Sequence, residues 1–339
     1  MNEEVEKGEV DVFDRKVERE DTLVGKLLSR GLVVSDELQL RKIIRLVGYY
    51  RLTGYLYPFR QEGGEGYVKG TTLEQIWRLY TFDRRLRGCV MDALSRIEVA
   101  VRVSVMENHA AMFKGDPFVY ARRENFPNFN DSRFEKFTDS LARAVKHARD
   151  SGESSVLHYL RDRNMSQVPV WVLMEVLAFG DVETYYSGLP LEAQRKVCDT
   201  YDVVPGVLKG WLKVLRRLRN ICAHQGRLWN RKIDARISFD IAGRPELRDL
   251  FDAISPQKEL RHTSMFVALC IARQMLNAVR PESKWADRLK SLLADYPEVP
   301  LVAMGFPADW QKLALWKDPD EEKEEDEAAD SDKDSPPGD

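Results

Sequence analysis

Arg219 and His224 are separated by four residues within WLKVLRRLRNICAHQGRLWNRK, residues 211–232. An arginine beside a histidine can cleave RNA. The imidazole takes the proton of a ribose 2′-OH or returns one to the leaving 5′-oxygen. The guanidinium holds the scissile phosphate bidentately while its negative charge grows. That chemistry requires no cofactor and no metal. The cysteines (Cys89, Cys198, Cys222 and Cys270) are scattered, and no CxxC points to a zinc site or a disulfide framework. P-loop, GxSxG, HExxH and GxGxxG patterns are missing as well. On an ideal helix five steps turn the two side chains about 140° apart. They converge only if the helix ends or distorts near His224, or if a second copy faces the first. A histidine that merely caps a helix C-terminus would carry the same spacing.

The elements that must position the pair read as helical. The segment from Trp211 begins as an amphipathic helix with Trp211, Val214, Leu215, Leu218 and Cys222 on one face. Lys213, Arg216, Arg217 and Arg219 make the other face basic, and Gly226 supplies an exit. Between Thr72 and Asn108 apolar residues recur at Ile76, Leu79, Tyr80, Leu86, Val90, Leu94, Ile97, Val101 and Val105, with a gap at Asp83. That spacing predicts one long helix or two stacked end to end. Ser35 and Asp36 offer caps for a helix through Leu40, Ile43, Ile44 and Val47. Phe134, Phe137, Leu141 and Val145 mark a further helix, and Met265 to Val279 another. Trp171 to Phe179 reads as a buried run between Pro169 and Gly180, and Pro190 suits the first turn of a helix to about Asp199. Two short stretches, Tyr49–Phe59 and Ile233–Phe239, could be extended. The expectation is an all-α bundle with a small, irregular, aromatic-rich insert.

Charge is segregated along the chain. Residues 1–21 carry a net −5 and residues 317–339 a net −9, which leaves the body 22–316 at +11 within a whole-chain net of −3. The two acidic ends have too few apolar residues to fold, so 22–316 is expected to be the one folded domain, although a division near 110–130 is open. A basic body suggests a polyanionic partner, RNA first. No run of about 18 uncharged apolar residues and no apolar leader are present, so a soluble cytoplasmic protein that meets no membrane is expected.

LRNICAHQGRLWNR resembles the signature of the Abi-like family of bacterial abortive-infection proteins, of the AbiD/AbiF type. LVGYYRLTGYLYPFR (46–60), YTFDRRLRGCVMDALSRIEVAVR (80–102) and PVWVLMEVLAFGDVETYYSGL (169–189) resemble further family segments and stand in the same order. The resemblance spans roughly residues 22–280. It implies a HEPN-like bundle with an R-x4-6-H ribonuclease motif, a role in antiphage defence, and RNA as substrate. Cleavage would then be metal-independent. By resemblance Arg219 and His224 are the catalytic pair, and Asn220 orients the arginine or contacts phosphate. Arg216, Arg227, Trp229 and Asn230 support the pair or bind RNA. Trp229 would stack on a base, although packing under the bundle is the commoner fate of tryptophan, and Asn230 could simply cap a turn. Gln225 stands where many members have a second histidine.

Such sites are usually built from two facing motifs. Arg102-x6-His109 is the other match in the chain, and seven helical steps bring its residues to nearly one face. It lacks the asparagine after the arginine. The preferred arrangement is therefore a homodimer in which Arg219 and His224 of each copy meet. A non-catalytic module that holds a regulatory RNA, or scaffolds a complex, would need the same basic helix. Glu98 is expected to pair with Arg102 or Arg219, or to be a solvated partner of Arg102. His147, His158 and His262 read as surface or packing residues. Tyr49, Tyr50, Tyr55, Tyr57 and Phe59, interleaved with Arg51 and Arg60, form either an RNA-stacking platform or a packing motif.

Overall fold

The computed structural model describes residues 16–233, 252–253 and 264–317. The acidic segments 1–15 and 318–339, residues 234–239 of the second extended stretch, and His262 lie outside the described residues. Among the described residues there are twelve α-helices and no strand, only two isolated β-bridges, so the chain is all-α. Chain contacts gather into two compact units, Met1–Phe82 and Asp83–Asp339.

The first unit contains α1 (Glu20–Ser29), α2 (Glu37–Val47), α3 (Tyr49–Leu56) and the start of α4. Asp36 caps α2 by accepting from the amides of Leu38 and Gln39 at 2.9 and 3.2 Å. Ser35 bonds Glu74 instead. Gly48 joins α2 to α3 at φ +90°, a backbone conformation that a side chain would strain. The aromatic stretch expected to be extended is helical as far as Leu56 and ends in a 3₁₀ turn, Tyr57–Phe59. Its tyrosines suggested a strand, yet Leu52, Tyr55 and Leu56 fall three and four apart and are the residues buried. Tyr55 packs edge-on against Tyr80, whereas Tyr50 and Tyr57 are exposed.

α4 (Leu73–Met112) is one unbroken helix of 40 residues. In the second unit its stripe from Leu86 through Val90, Leu94, Ile97, Val101 and Val105 is fully buried. There follow α5 (Asp131–Asp150), α6 (Ser154–Leu157), α7 (Val170–Val176), α8 (Phe179–Gly188), α9 (Leu191–Asp199), α10 (Pro205–Ala223), α11 (Met265–Val279) and α12 (Trp285–Ala294). α10 is central. It packs on α8, α9 and α11 through Val207, Leu208, Trp211, Val214, Leu215 and Leu218, all buried. α5 packs on α7 and α8. The expected Trp171–Phe179 run is two helices with a break at Leu177 and Ala178, and Trp171 is about half exposed. Burial along this run belongs to Val172, Leu173, Met174, Leu177 and Phe179. Gly188 has no room for a side chain, since a Cβ would sit 2.5 Å from the Phe129 ring. After α12 short turns carry Phe306, Trp310 and Trp316 onto Phe266 of α11. No described helix is long and apolar enough to cross a membrane.

Candidate active site at the end of the basic helix

α10 ends at Ala223, with His224 as its C-cap at φ −89° and ψ 14°. The exit is a Schellman motif: the Gly226 amide donates to the Ile221 carbonyl at 2.8 Å and the Gln225 amide to Cys222 at 3.1 Å. The left-handed position is taken by Gln225, at φ +56°, and not by Gly226 as expected. Gly226 is needed for a different reason. A Cβ there would meet the Ile221 side chain at 3.2 Å and its carbonyl at 3.3 Å. The helix thus stops at His224, one of the conditions under which Arg219 and His224 can converge. His224 and Asn220 are exposed. Among the described residues no hydrogen bond joins Arg219 to His224.

Two buried glutamates organise the basic face. Glu98 of α4 receives Arg102 on Oε1 and Arg219 on Oε2, the latter at 3.4 Å. Arg219 therefore leaves its helix toward α4 with its guanidinium fixed and about a third exposed. Glu183 of α8 pairs with the Arg216 Nε at 2.6 Å. At Gly180, in the first turn of α8, a Cβ would meet the Cδ of that arginine at 3.1 Å, so the missing side chain leaves it room. Hence two of the four cations on the basic face, Arg216 and Arg219, also pair with buried acids of neighbouring helices, while Lys213 and Arg217 are exposed.

The segment after His224 is tied down by a pair that the sequence showed only as an interruption. Asp83, fully buried, accepts the amides of Leu228 at 2.9 Å and Trp229 at 2.5 Å on one oxygen. Its other oxygen pairs with Arg87, one helical turn on. Arg87 also donates to the Gly226 carbonyl at 3.3 Å. A carboxylate in a dry interior needs such partners. The polar residue in an otherwise apolar stripe was the available signal. The clamp fixes the chain path at residues 226–229, directly beyond the candidate pair. It also places Trp229: the indole is 1% exposed, so its ring packs in the core and is not available to stack on a base. Among the described residues its Nε1 has no hydrogen-bond partner. Arg227 and Asn230 are partly exposed, the latter in a left-handed conformation at φ +51°.

The second match, Arg102 and His109, is not assembled as a site. His109 is fully buried. Its Nε2 faces the Asn125 carbonyl at 3.2 Å and its Nδ1 the Tyr185 hydroxyl at 2.8 Å. A carbonyl only accepts, so Nε2 carries the proton and Nδ1 accepts from tyrosine. Phe113, Phe126 and Tyr185 enclose the ring. Burial lowers its pKa to about 4. Arg102 donates elsewhere, to Glu98 and to the carbonyls of Met174 and Glu175 at 2.6 and 3.0 Å. The helical register that put both residues near one face is correct, but one serves the core and the other the end of α7. His147 and His158 are exposed, the latter 3.8 Å from Asp162. Among the described residues no cluster of three or more His, Cys, Asp or Glu could hold a metal ion.

Residues 42–230 match the family described as Abi-like protein. The chain belongs to the Abi-like family. The matched stretch contains α3, the whole of α4, both buried glutamates, the Asp83–Arg87 clamp and the end of α10. The aromatic cluster of Phe266, Phe306, Trp310 and Trp316 lies beyond it, so the Abi-like match covers the candidate site and not the C-terminal packing. No curated protein and no solved structure matches the chain.

Proposed function

We propose that this Abi-like protein is a metal-independent endoribonuclease with a HEPN-type Arg/His site, acting in abortive-infection defence. One observation carries the reading: at the last turn of α10 an arginine is held by a buried glutamate while the histidine that ends the helix is open to solvent. Arg219, braced by Glu98, would hold a phosphate without losing its place. His224 would take the proton from the 2′-OH as that oxygen attacks phosphorus. The P–O5′ bond breaks, the leaving oxygen takes up a proton, and the products are a 2′,3′-cyclic phosphate and a 5′-OH. One imidazole cannot be base and acid in the same step. A second copy of the chain supplies the second His224 and makes the homodimer the working unit. The enclosure of His109 supports that choice over an internal second half-site. Lys213, Arg217 and Asn220 are exposed on the same helix and suit contacts to flanking phosphates.

Purified protein on mixed single-stranded RNA in EDTA tests the reading. Cleavage that persists in EDTA and is lost in Arg219→Ala and His224→Ala is the expected result. Tight binding with no cleavage replaces the enzyme with a module that holds RNA. Light scattering should give a dimer, and a monomer that still cleaves sinks the two-copy site.

A further inference from the structure

The second unit contains a pocket of about 430 Å³ lined in part by α7, within the size range of small-molecule sites. Its floor is apolar: Tyr120, Leu141, Val145, Leu160, Val168 and Leu173. Val168 and Leu173 are buried, and the Tyr120 hydroxyl is already satisfied by the Val168 carbonyl at 2.7 Å. These six side chains offer shape and hydrophobicity, and Thr138, Ser166 and Gln167 add neutral polar groups to the lining. Cations stand at the mouth. Lys146 and Arg149, three residues apart on α5, share one side of the helix and are exposed. No ion pair engages Lys146 among the described residues, and Arg149 bonds only its exposed neighbour Asp150, at 2.9 and 3.0 Å. An exposed pair of that kind exchanges partners at little cost. One wall is irregular. Leu160 comes from a π-helical turn, His158–Asp162, a geometry that recurs at functional sites. The chain after it turns through Asn164 at φ +52°.

The pocket is joined to Arg219 by an unbroken set of contacts. Leu173 forms its wall on α7. The next two carbonyls, Met174 and Glu175, belong to the last turn of α7 and have no partner within the helix. Arg102 caps them, and its other nitrogen holds Glu98, whose second oxygen holds Arg219. A displacement of α7 that broke the Arg102 bonds at 2.6 and 3.0 Å would alter the share of Glu98 left to Arg219.

We infer that this pocket is an effector site for a small amphipathic monoanion, an apolar body seated on the floor and one phosphate, sulfonate or carboxylate group at Lys146 and Arg149, and that its occupancy is read by Arg219. The second clause rests on the proposed ribonuclease, and the first does not. Anilinonaphthalene sulfonate has the required chemistry and reports its own binding by fluorescence. One saturable site per chain is expected, with decanoate competing. Ala142→Trp, at an exposed rim position of α5, should abolish the site. Lys146→Glu with Arg149→Glu should weaken it about tenfold or more. All three substitutions are at exposed positions, and matched thermal melts confirm the fold. Absence of saturable binding, or binding unchanged in both variants, overturns the site. Hydrogen exchange then reads the coupling without any nuclease assay. The probe should alter protection of the amides of residues 219–226 in the wild type and not in Arg102→Ala. Binding with no such change, or an equal change in Arg102→Ala, removes the link to Arg219. If exchange changes but no RNA is ever cleaved, the effector site stands and the ribonuclease reading fails.

Discussion

Arg102 with His109 and Arg219 with His224 are two copies of nearly the same word in one sequence, and the fold treats them in opposite ways. The first lies toward the C-terminal end of a 40-residue helix, with His109 in its last turn, and that histidine is sealed by three aromatic rings. The second sits where a helix stops, and its histidine faces solvent. Both arginines converge on the same carboxylate, Glu98. Spacing therefore supplies the residue types, both histidines sit in the last turn or cap of a helix, and burial alone separates the two pairs. A proton donor inside a dry cage has no path to RNA, whatever its neighbours.

The sharpest way to break that comparison is to remove each histidine in turn. His224→Ala should lower RNA cleavage about 10²- to 10⁴-fold with an unchanged thermal melt. His109→Ala should cost about 3–5 kcal/mol of stability, from the cavity and from two buried polar groups left unpaired. At temperatures where it stays folded it should cleave normally. Parallel melts and cleavage assays decide, and equal loss of activity at equal foldedness would erase the distinction. Next comes the clamp. Asp83→Ala strands Arg87 and frees the 228 and 229 amides, for an expected loss of about 3–5 kcal/mol, read by denaturant unfolding. An intact fold with no loss would show that the clamp does not fix the end of α10.

Acid should separate the two histidines a second time. The buried ring of His109 refuses a proton until about pH 4, whereas the unfolded chain takes it near 6.5. Its contribution is complete above pH 6.5 and is lost as pH falls toward 4, up to about 3 kcal/mol. His109→Gln should be less stable at neutral pH yet flatter over this window, and a parallel slope would reassign the acid sensitivity. The smallest effect expected is at Gln225. Gln225→Gly removes a side chain from a left-handed position and should add about 1 kcal/mol, measured by chemical denaturation, with cleavage unchanged.

What was legible in the sequence follows from what periodicity can carry. The stripes of α4, α10 and α11 and the cap at Asp36 were readable because one-dimensional spacing maps onto one helix face. Glu98 was readable as a partner for Arg102 or Arg219, and it serves both. Asp83 showed only as a gap, because its partners are backbone amides 145 and 146 residues away. Backbone acceptors are equally invisible, so the capping of α7 by Arg102 had no signature. The pairing of Arg216 with Glu183 was hidden because a basic stripe looks the same whether water or a buried acid faces it. The aromatic stretch 49–59 misled because tyrosines at alternate positions suggest a strand, while the smaller set Leu52, Tyr55 and Leu56 sets the true period.

The Asp83 clamp also bears on the order of events in folding. Its carboxylate and Arg87 are one turn apart and can meet as soon as α4 forms, but the amides it needs arrive only after some 145 residues have been brought back. Contacts of such sequence separation form late, after the loop-closure entropy has been met. Interactions missing from the transition state slow unfolding and leave the folding rate unchanged. The clamp is thus a brake on opening: it gives the end of α10 a long native lifetime without making the chain fold any faster.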